Sequence, residues 1–483
     1  MDLALVQHGT ALRVDGRVFR LKELLEAEEL RDGALRLQSA HLVGPAFVRL
    51  RFADGREVAA SLPGRDASPD DGRVDLLIHN AGQVLTFTGM GVGLVSRAQV
   101  LCQGRRVLAV LPAGPLPVGY HLSESATRVD AAGGVVTPGL VDPHTHLVFA
   151  GERSLEFAMK AEGKSYLELH QAGGGIHATV RATRSATFDE LQRRCCRNLS
   201  ELLDWGVTTC EAKSGYALEV EGELRLLEVL RAANNCHPVE IVPTLLGAHA
   251  LPAEHAHARD RYVEEIAAQM IPRAAEQGLA RYCDAYCEAG AFSPEEVEPI
   301  FVAARAAGLG LRLHAEQFSD RGGAALGARL GATTIDHLEH VGEAGVAAMA
   351  AAGSIAVLLP GAALTCRCPW PRAELFRRAQ VPMALGTDLN PGSSMTAALP
   401  LQMFLACTQV GMTCDEAWRA VTCVAADSVG RPDLGRIGPG SPADLIVFDV
   451  PDYRHVPYHY GRNHAQVVIK AGRVVRQRAS LLD

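Results

Sequence analysis

The stretch GLVDPHTHLVF, residues 139–149, decides the fold. It opens as an apolar run and closes in polar groups, the pattern of a strand buried on both faces whose C-terminal end meets a cavity. Side chains alternate along an extended chain, so His144 and His146 leave the same side and can share one metal ion. Seven more β-rich runs follow: VTTCEAKSGY (207–216), VEIVPTLLGAHA (239–250), ARYCDAYCE (280–288), LRLHAEQ (311–317), TTIDHLEH (333–340), SIAVLLPG (354–361) and PMALGTDLN (382–390). Helical stretches separate them. Thr187 with Glu190 makes a capping box ahead of the apolar face Leu191, Cys195, Leu199 and Leu202, and Gly206 ends that helix. Ser293, Pro294 and Glu296 repeat the device. Strand and helix alternating eight times predict an α/β protein with a closed parallel (β/α)8 barrel of the TIM type, over residues 138–420.

Outward from the barrel the chain is strand-rich on both sides. VDLLIHN (74–80), AQVLCQGRRVLAVLP (98–112) and TRVDAAGGVV (127–136) precede it, and ADLIVFDV (443–450) and HAQVVIKAGRVV (464–475) follow. Flanks alike in pattern predict one small composite β-sandwich domain from residues 74–137 and 421–483. Residues 1–73 read as an N-terminal extension without an assigned role. In it FRLKELLEAEELR (19–31) suggests a helix, FVRLRF (47–52) with the Asp54-Gly55 turn a hairpin, and LPGRDASPDDGR (62–73) a linker.

The 483 residues hold 47 Lys+Arg against 55 Asp+Glu, a net charge of −8, and 48% are hydrophobic. This excludes disorder as the main state, and without a basic stripe no nucleic-acid partner is expected. No apolar run approaches the roughly 20 residues of a bilayer helix, and the N-terminus has no signal-peptide pattern; the expectation is a cytoplasmic protein with no membrane partner. Twelve cysteines are too sparse for a disulfide scaffold, and the pairs Cys195/Cys196, Cys283/Cys287 and Cys366/Cys368 make no CxxC motif.

Titratable residues gather at the C-terminal ends of the runs, where such barrels build their sites. His144 and His146 end the first, His314 lies on the fifth and Asp388 on the eighth. Three imidazoles and a carboxylate suit one divalent or trivalent transition metal, zinc or iron, and not calcium or magnesium. A water on such an ion becomes a nucleophile near neutral pH, and Asp388 is placed to take its proton. ARYCDAYCE offers no lysine to bridge a second ion.

TPGLVDPHTHLVFAGER, HAEQ, IDHLEH and GTDLNPGSS resemble the amidohydrolase superfamily. More narrowly GGGIHATVRATR (173–184), EAKSGY, LLGAHALP, LPG and DVPDYRHVPYHYG (449–461) resemble its imidazolonepropionase family, across roughly residues 74–480. The resemblance implies a cytosolic homodimer that hydrolyses the small anionic molecule 4-imidazolone-5-propanoate to N-formimidoyl-L-glutamate in histidine degradation. It carries the ligand role to His144, His146, His314 and Asp388, and substrate contacts to Arg153, Tyr216, His249, Gln317, Asn390, Gly392 and Ser393. Some relatives have Glu for Gln317 and Thr for Ser393. An amide cannot take a proton as a carboxylate does, so Gln317 is assigned to hydrogen bonding, with Glu316 pointing away by strand alternation.

Read from the substrate, Arg153 and Tyr216 suit a propanoate anchor, and His249 suits a donor to the ring carbonyl. His337 reads either as a group orienting Asp388 or the water, or as a structural partner of Asp336, and Lys213 as a partner of Glu211. The loop AALTCRCPWP after LPG departs from the aromatic-rich stretch of the family. Two other readings stay open: another ring hydrolase or deaminase of the superfamily, and a metal-free barrel scaffold.

Overall fold

The computed structural model describes residues 3–6, 11–14, 17–20, 37–42, 47–52, 57–61, 72–89, 91–163 and 174–478. Its centre is a parallel barrel of β1 (Leu140–Asp142), β2 (Val207–Lys213), β3 (Glu240–Ala248), β4 (Tyr282–Cys287), β5 (Gly310–Ala315), β6 (Thr334–His337), β7 (Ile355–Leu358) and β8 (Met383–Leu385). Neighbours in sequence are neighbours in space, and every pair is parallel. The strands are almost wholly buried, which is why each reads as a continuous run.

β1 is shorter than its run because Pro143 has no N–H to give a ladder. Beyond it the chain straightens again and closes the barrel against the segment after β8. Asp388 N–H donates to His144 O and His146 N–H to Leu389 O, both at 3.0 Å. Deeper in this seam Thr387 bonds both carboxylate oxygens of Asp142, by its N–H at 3.1 Å and its hydroxyl at 2.6 Å.

The helices begin where their caps require. Thr187 and Glu190 form the reciprocal box ahead of Phe188–Asp204, and Leu191, Cys195, Leu199 and Leu202 of that helix are buried. Ser293 and Glu296 do the same for Pro294–Ala306, with Pro294 in the first turn.

Both flanks enter one mixed eight-stranded sheet. Val135–Pro138 lies between Arg73–Leu85, which it meets in parallel, and Leu445–Phe448, which it meets antiparallel. Leu76, Ile78, Val100, Leu445, Val467 and Ile469 share its core. The second flank starts later than residue 421. Helix Cys423–Ser428 packs Ala425 and Ala426 against Val141 and Val357 of the barrel, so this segment sits with the barrel core.

In the extension Phe47–Phe52 and Glu57–Ser61 form the expected hairpin, with Leu37–Leu42 as a third antiparallel strand. The helix expected from residue 19 is corrected at its start. Phe19 and Arg20 belong to strand Arg17–Arg20, paired with Ala11–Val14 across the two-residue Asp15-Gly16 connection, a hairpin signal as strong as Asp54-Gly55. Residues 21–31, and 62–71 of the linker, lie outside the described residues.

Candidate active site

The barrel seam brings the expected ligands together. His144, His146, His314 and Asp388 are all buried. Asp388 Oδ1 lies 3.5 Å from His144 Nε2 and 3.4 Å from His146 Nε2, and the His144 and His314 rings are 4.5 Å apart. Ligand atoms converge in two overlapping groups, His144 with His146 and Asp388, and His144 with His314 and His337, all within 4.8 Å in each group.

The far side of two rings fixes their protons. His144 Nδ1 lies 2.6 Å from Asp336 Oδ2 and His314 Nδ1 3.0 Å from Asp284 Oδ1. A carboxylate accepts, so Nδ1 carries the proton and each Nε2 presents a lone pair. Both Nε2 atoms are buried without a hydrogen-bond partner, the state of a ligand facing its ion. Burial holds the His144 imidazolium well below its ordinary range, helped by the Lys213 charge, and burial lowers His314 to about 4 against the pull of Asp284. Neutral imidazole is the form that ligates. Burial would raise the Asp388 carboxyl, but the hydrogen bond from His146 and the nearby charge of His337 hold it below its ordinary value.

The partnership of His337 with Asp336 is corrected. Asp336 goes to His144 Nδ1, while His337, turned toward the same site by its left-handed backbone, has Nδ1 3.5 Å from Glu339 Oε1. Burial alone would depress His337; Glu339 first, then Asp388 and Asp336, carry it up to about 9. His337, Glu316 and Asp388 also leave their strands through left-handed backbone, at φ 81°, 58° and 51°. Such conformations cost about 1–3 kcal/mol each and cluster where function over-determines the chain.

Around this centre stand the expected substrate residues. His249 stacks on His146 at 5.1 Å, and Tyr216, buried, lies 5.2 Å from His249. His249 Nδ1 is 2.9 Å from Gly215 O, which can only accept, and burial keeps the ring neutral. Its Nε2 is therefore an acceptor, and the expected donation to a ring carbonyl does not fit this tautomer. Arg153 grips Glu156 with both arms of its fork, Nε at 3.0 Å and Nη2 at 2.8 Å. Gly175 N–H also donates to Glu156, at 2.9 Å, and so supports this pair. The fork passes so close to Gly392 that a Cβ there would meet Arg153 Nη1 at 2.5 Å. Asn390 Oδ1 accepts from the N–H groups of Gly392 and Ser393, and its amide donates to Asp388 O at 2.6 Å. Ser393 Oγ donates to Asp388 Oδ2 at 3.2 Å. Gln317 Oε1 accepts from Tyr286 at 2.6 Å, which leaves its NH2 to offer. Glu316 turns away and accepts from Ala324 N–H; the cause is its left-handed backbone just past the strand and not the expected alternation, which would have set it on the face of His314.

Asp284, Arg312, Tyr286 and Glu339 escaped the reading of the sequence. A signal existed for two of them. Asp284 and Arg312 sit inside apolar strand runs, and a charge fully buried there demands a partner of opposite sign.

The pattern that defines the amidohydrolase family matches residues 155–476, and the chain belongs to that class of barrel hydrolases. Among solved structures, the fold is similar to a zinc-bound adenosine deaminase from Xanthomonas campestris, with a TM-score of 0.65 at 19% identity over 84% of this chain and 93% of that one. It is also similar to the zinc-complexed atrazine chlorohydrolase of Arthrobacter aurescens, with a TM-score of 0.60 at 18% identity over 84% and 97%. These likenesses concern the fold. Sequence relatives are nearer. The imidazolonepropionase of Geobacillus kaustophilus is 43% identical over 83% of this chain and 97% of its own length, and that of Myxococcus xanthus 45% over 84% and 98%. Within the class, the chain is a member of the imidazolonepropionase family.

Proposed function

We propose that the protein hydrolyses 4-imidazolone-5-propanoate to N-formimidoyl-L-glutamate, a step of histidine degradation. The observation that carries the reading is the pair of unpartnered Nε2 atoms of His144 and His314, buried beside His146 and Asp388, in a member of this family. These four residues would hold one transition metal ion. The nitrogen and oxygen donor set suits zinc or iron. Such an ion, when bound, polarises the ring carbonyl and makes hydroxide available near neutral pH.

The chain's own groups do the rest. Asp388, kept ionised, takes the proton of the attacking water and returns it to the ring nitrogen that leaves. Ser393 occupies Asp388 Oδ2 and Asn390 holds its carbonyl, so Oδ1 is the working oxygen. His337 holds a proton next to Glu339, orients Asp388 and offsets negative charge on the carbonyl oxygen. His249 accepts a ring N–H through Nε2, and Gln317 donates its amide to the ring. Arg153 and Tyr216 receive the propanoate. A cytoplasmic homodimer completes the proposal; among the described residues no helix is long and apolar enough to cross a membrane.

The test follows the ultraviolet absorbance of fresh 4-imidazolone-5-propanoate, with metal content measured on wild type and His314→Ala. Loss of absorbance with metal-loaded wild type alone is expected; a metal-loaded wild type that leaves the substrate intact refutes the assignment. One observation favours a second reading. Arg153 is already neutralised by Glu156, which an uncharged ring would not disturb. Ammonia release from a purine or pyrimidine would then mark a deaminase.

A further inference from the structure

Beneath the histidines lie five charged side chains, Glu211, Lys213, Asp284, Arg312 and Asp336, each with 0% exposure. Lys213 Nζ lies 2.9 Å from Glu211 Oε1, 2.8 Å from Asp284 Oδ2 and 3.9 Å from Asp336 Oδ2. Arg312 donates to Pro143 O at 2.7 Å, to Ser428 O at 3.0 Å and to Asp336 Oδ2 at 3.3 Å. The two cations thus meet the two carboxylates that hold His314 and His144 by Nδ1. Burying so many charges is expensive, and an apolar filling would often be as stable. The barrel floor is built from four strands to keep them.

We infer that Lys213 and Arg312 are positioning residues for the metal centre. Lys213 anchors Asp284 by the oxygen that His314 does not use. Arg312 spans from Asp336 to the carbonyl of Pro143, immediately before His144, so it fixes both the ring's partner and the ring's own strand. Together they hold each imidazole with Nε2 toward the ion before it arrives, which lowers the ordering cost of binding. The inference rests on the metal reading above.

Charge and position predict opposite signs. A cation under the site repels a metal cation, so on charge alone its removal tightens binding; on positioning its removal loosens binding. Zinc affinity is measured by chelator competition on metal-stripped wild type, Lys213→Met, Arg312→Lys and the double variant Glu211→Gln/Lys213→Met. Arg312→Lys keeps the charge without the fork, and the double variant keeps the net charge if Lys213→Met alone does not fold. Thermal melts of the stripped proteins establish folding independently of the metal. We expect affinity to fall by about 10- to 100-fold in each folded variant, with a shift of the visible bands of the cobalt-substituted protein. Unchanged or tighter zinc binding in folded Arg312→Lys and the double variant overturns the inference. Wild type that takes up no metal overturns the metal reading itself, a separate result.

Discussion

At the scale of the residue, the proposed substrate contacts turn on the proton of His249 and the fork of Arg153. Arg153 keeps Nη1 over Gly392 while its other nitrogens hold Glu156, so a propanoate would meet a guanidinium already oriented. Arg153→Met should raise KM by about 10- to 100-fold and leave kcat within a few-fold, since binding the arm contributes equally to ground and transition states. Steady-state kinetics check this; an equal fall in kcat would place Arg153 at the reacting centre. Asn390→Ala should keep the fold and lower kcat by roughly 10-fold, because the turn that aims Asp388 loses its two accepted N–H bonds. The convergence of His144 and His146 was legible at this scale because His-x-His obeys strand alternation. Tautomers were not, since the proton on His249 is set by Gly215 O, a backbone atom that side-chain chemistry does not announce.

At the scale of the element, caps and turns carried the reading. Thr187→Ala should lower stability by about 1 kcal/mol, seen in denaturant unfolding, through loss of the box at Phe188–Asp204. Glu316 gives a pH-dependent counterpart. It caps helix Gly323–Leu330 with Oε1, its Oε2 is buried unpartnered, and burial raises it from 4.5 to about 7. A carboxyl raised on folding stabilises the native state while protonated, and that stability disappears as pH rises from the unfolded value through the folded one. Glu316→Gln should therefore be more stable than wild type at pH 8, by no more than roughly 3–4 kcal/mol, and melt correspondingly higher. The gap should open between about pH 4.5 and 7, and equal melting at all pH values would refute it. All eight strands were legible from apolar runs. Their lengths were not, because Pro143 and the left-handed residues Glu316, His337 and Asp388 cut strands where a hydrophobic pattern continues. The strand Arg17–Arg20 departs from the expected helix because a charged, Leu-rich stretch outweighed the hairpin signal of the Asp15-Gly16 sequence.

At the scale of the whole molecule, the composite sheet was visible as two strand-rich flanks, whereas the membership of Cys423–Ser428 depends on a docking partner distant in sequence. If zinc binds only the native state, zinc at 100 times its dissociation constant adds about 2.7 kcal/mol of stability. Calorimetry with and without a chelator should show that difference; equal melting would argue against a native-state metal site. The seam gives this a direction. His144 and His146 stand on the first strand's side and Asp388 on the last's, and the adjoining Asp142 and Thr387 are 245 positions apart. An ion gripped by both sides buckles the longest loop of the barrel, a closure whose entropic cost grows with loop length. With the buckle undone, hydrogen exchange at the amides of His146 and Asp388 should quicken ahead of β4 and β5. The reagent of the reaction would then also be the catch that keeps the chain's two distant ends of the barrel from parting.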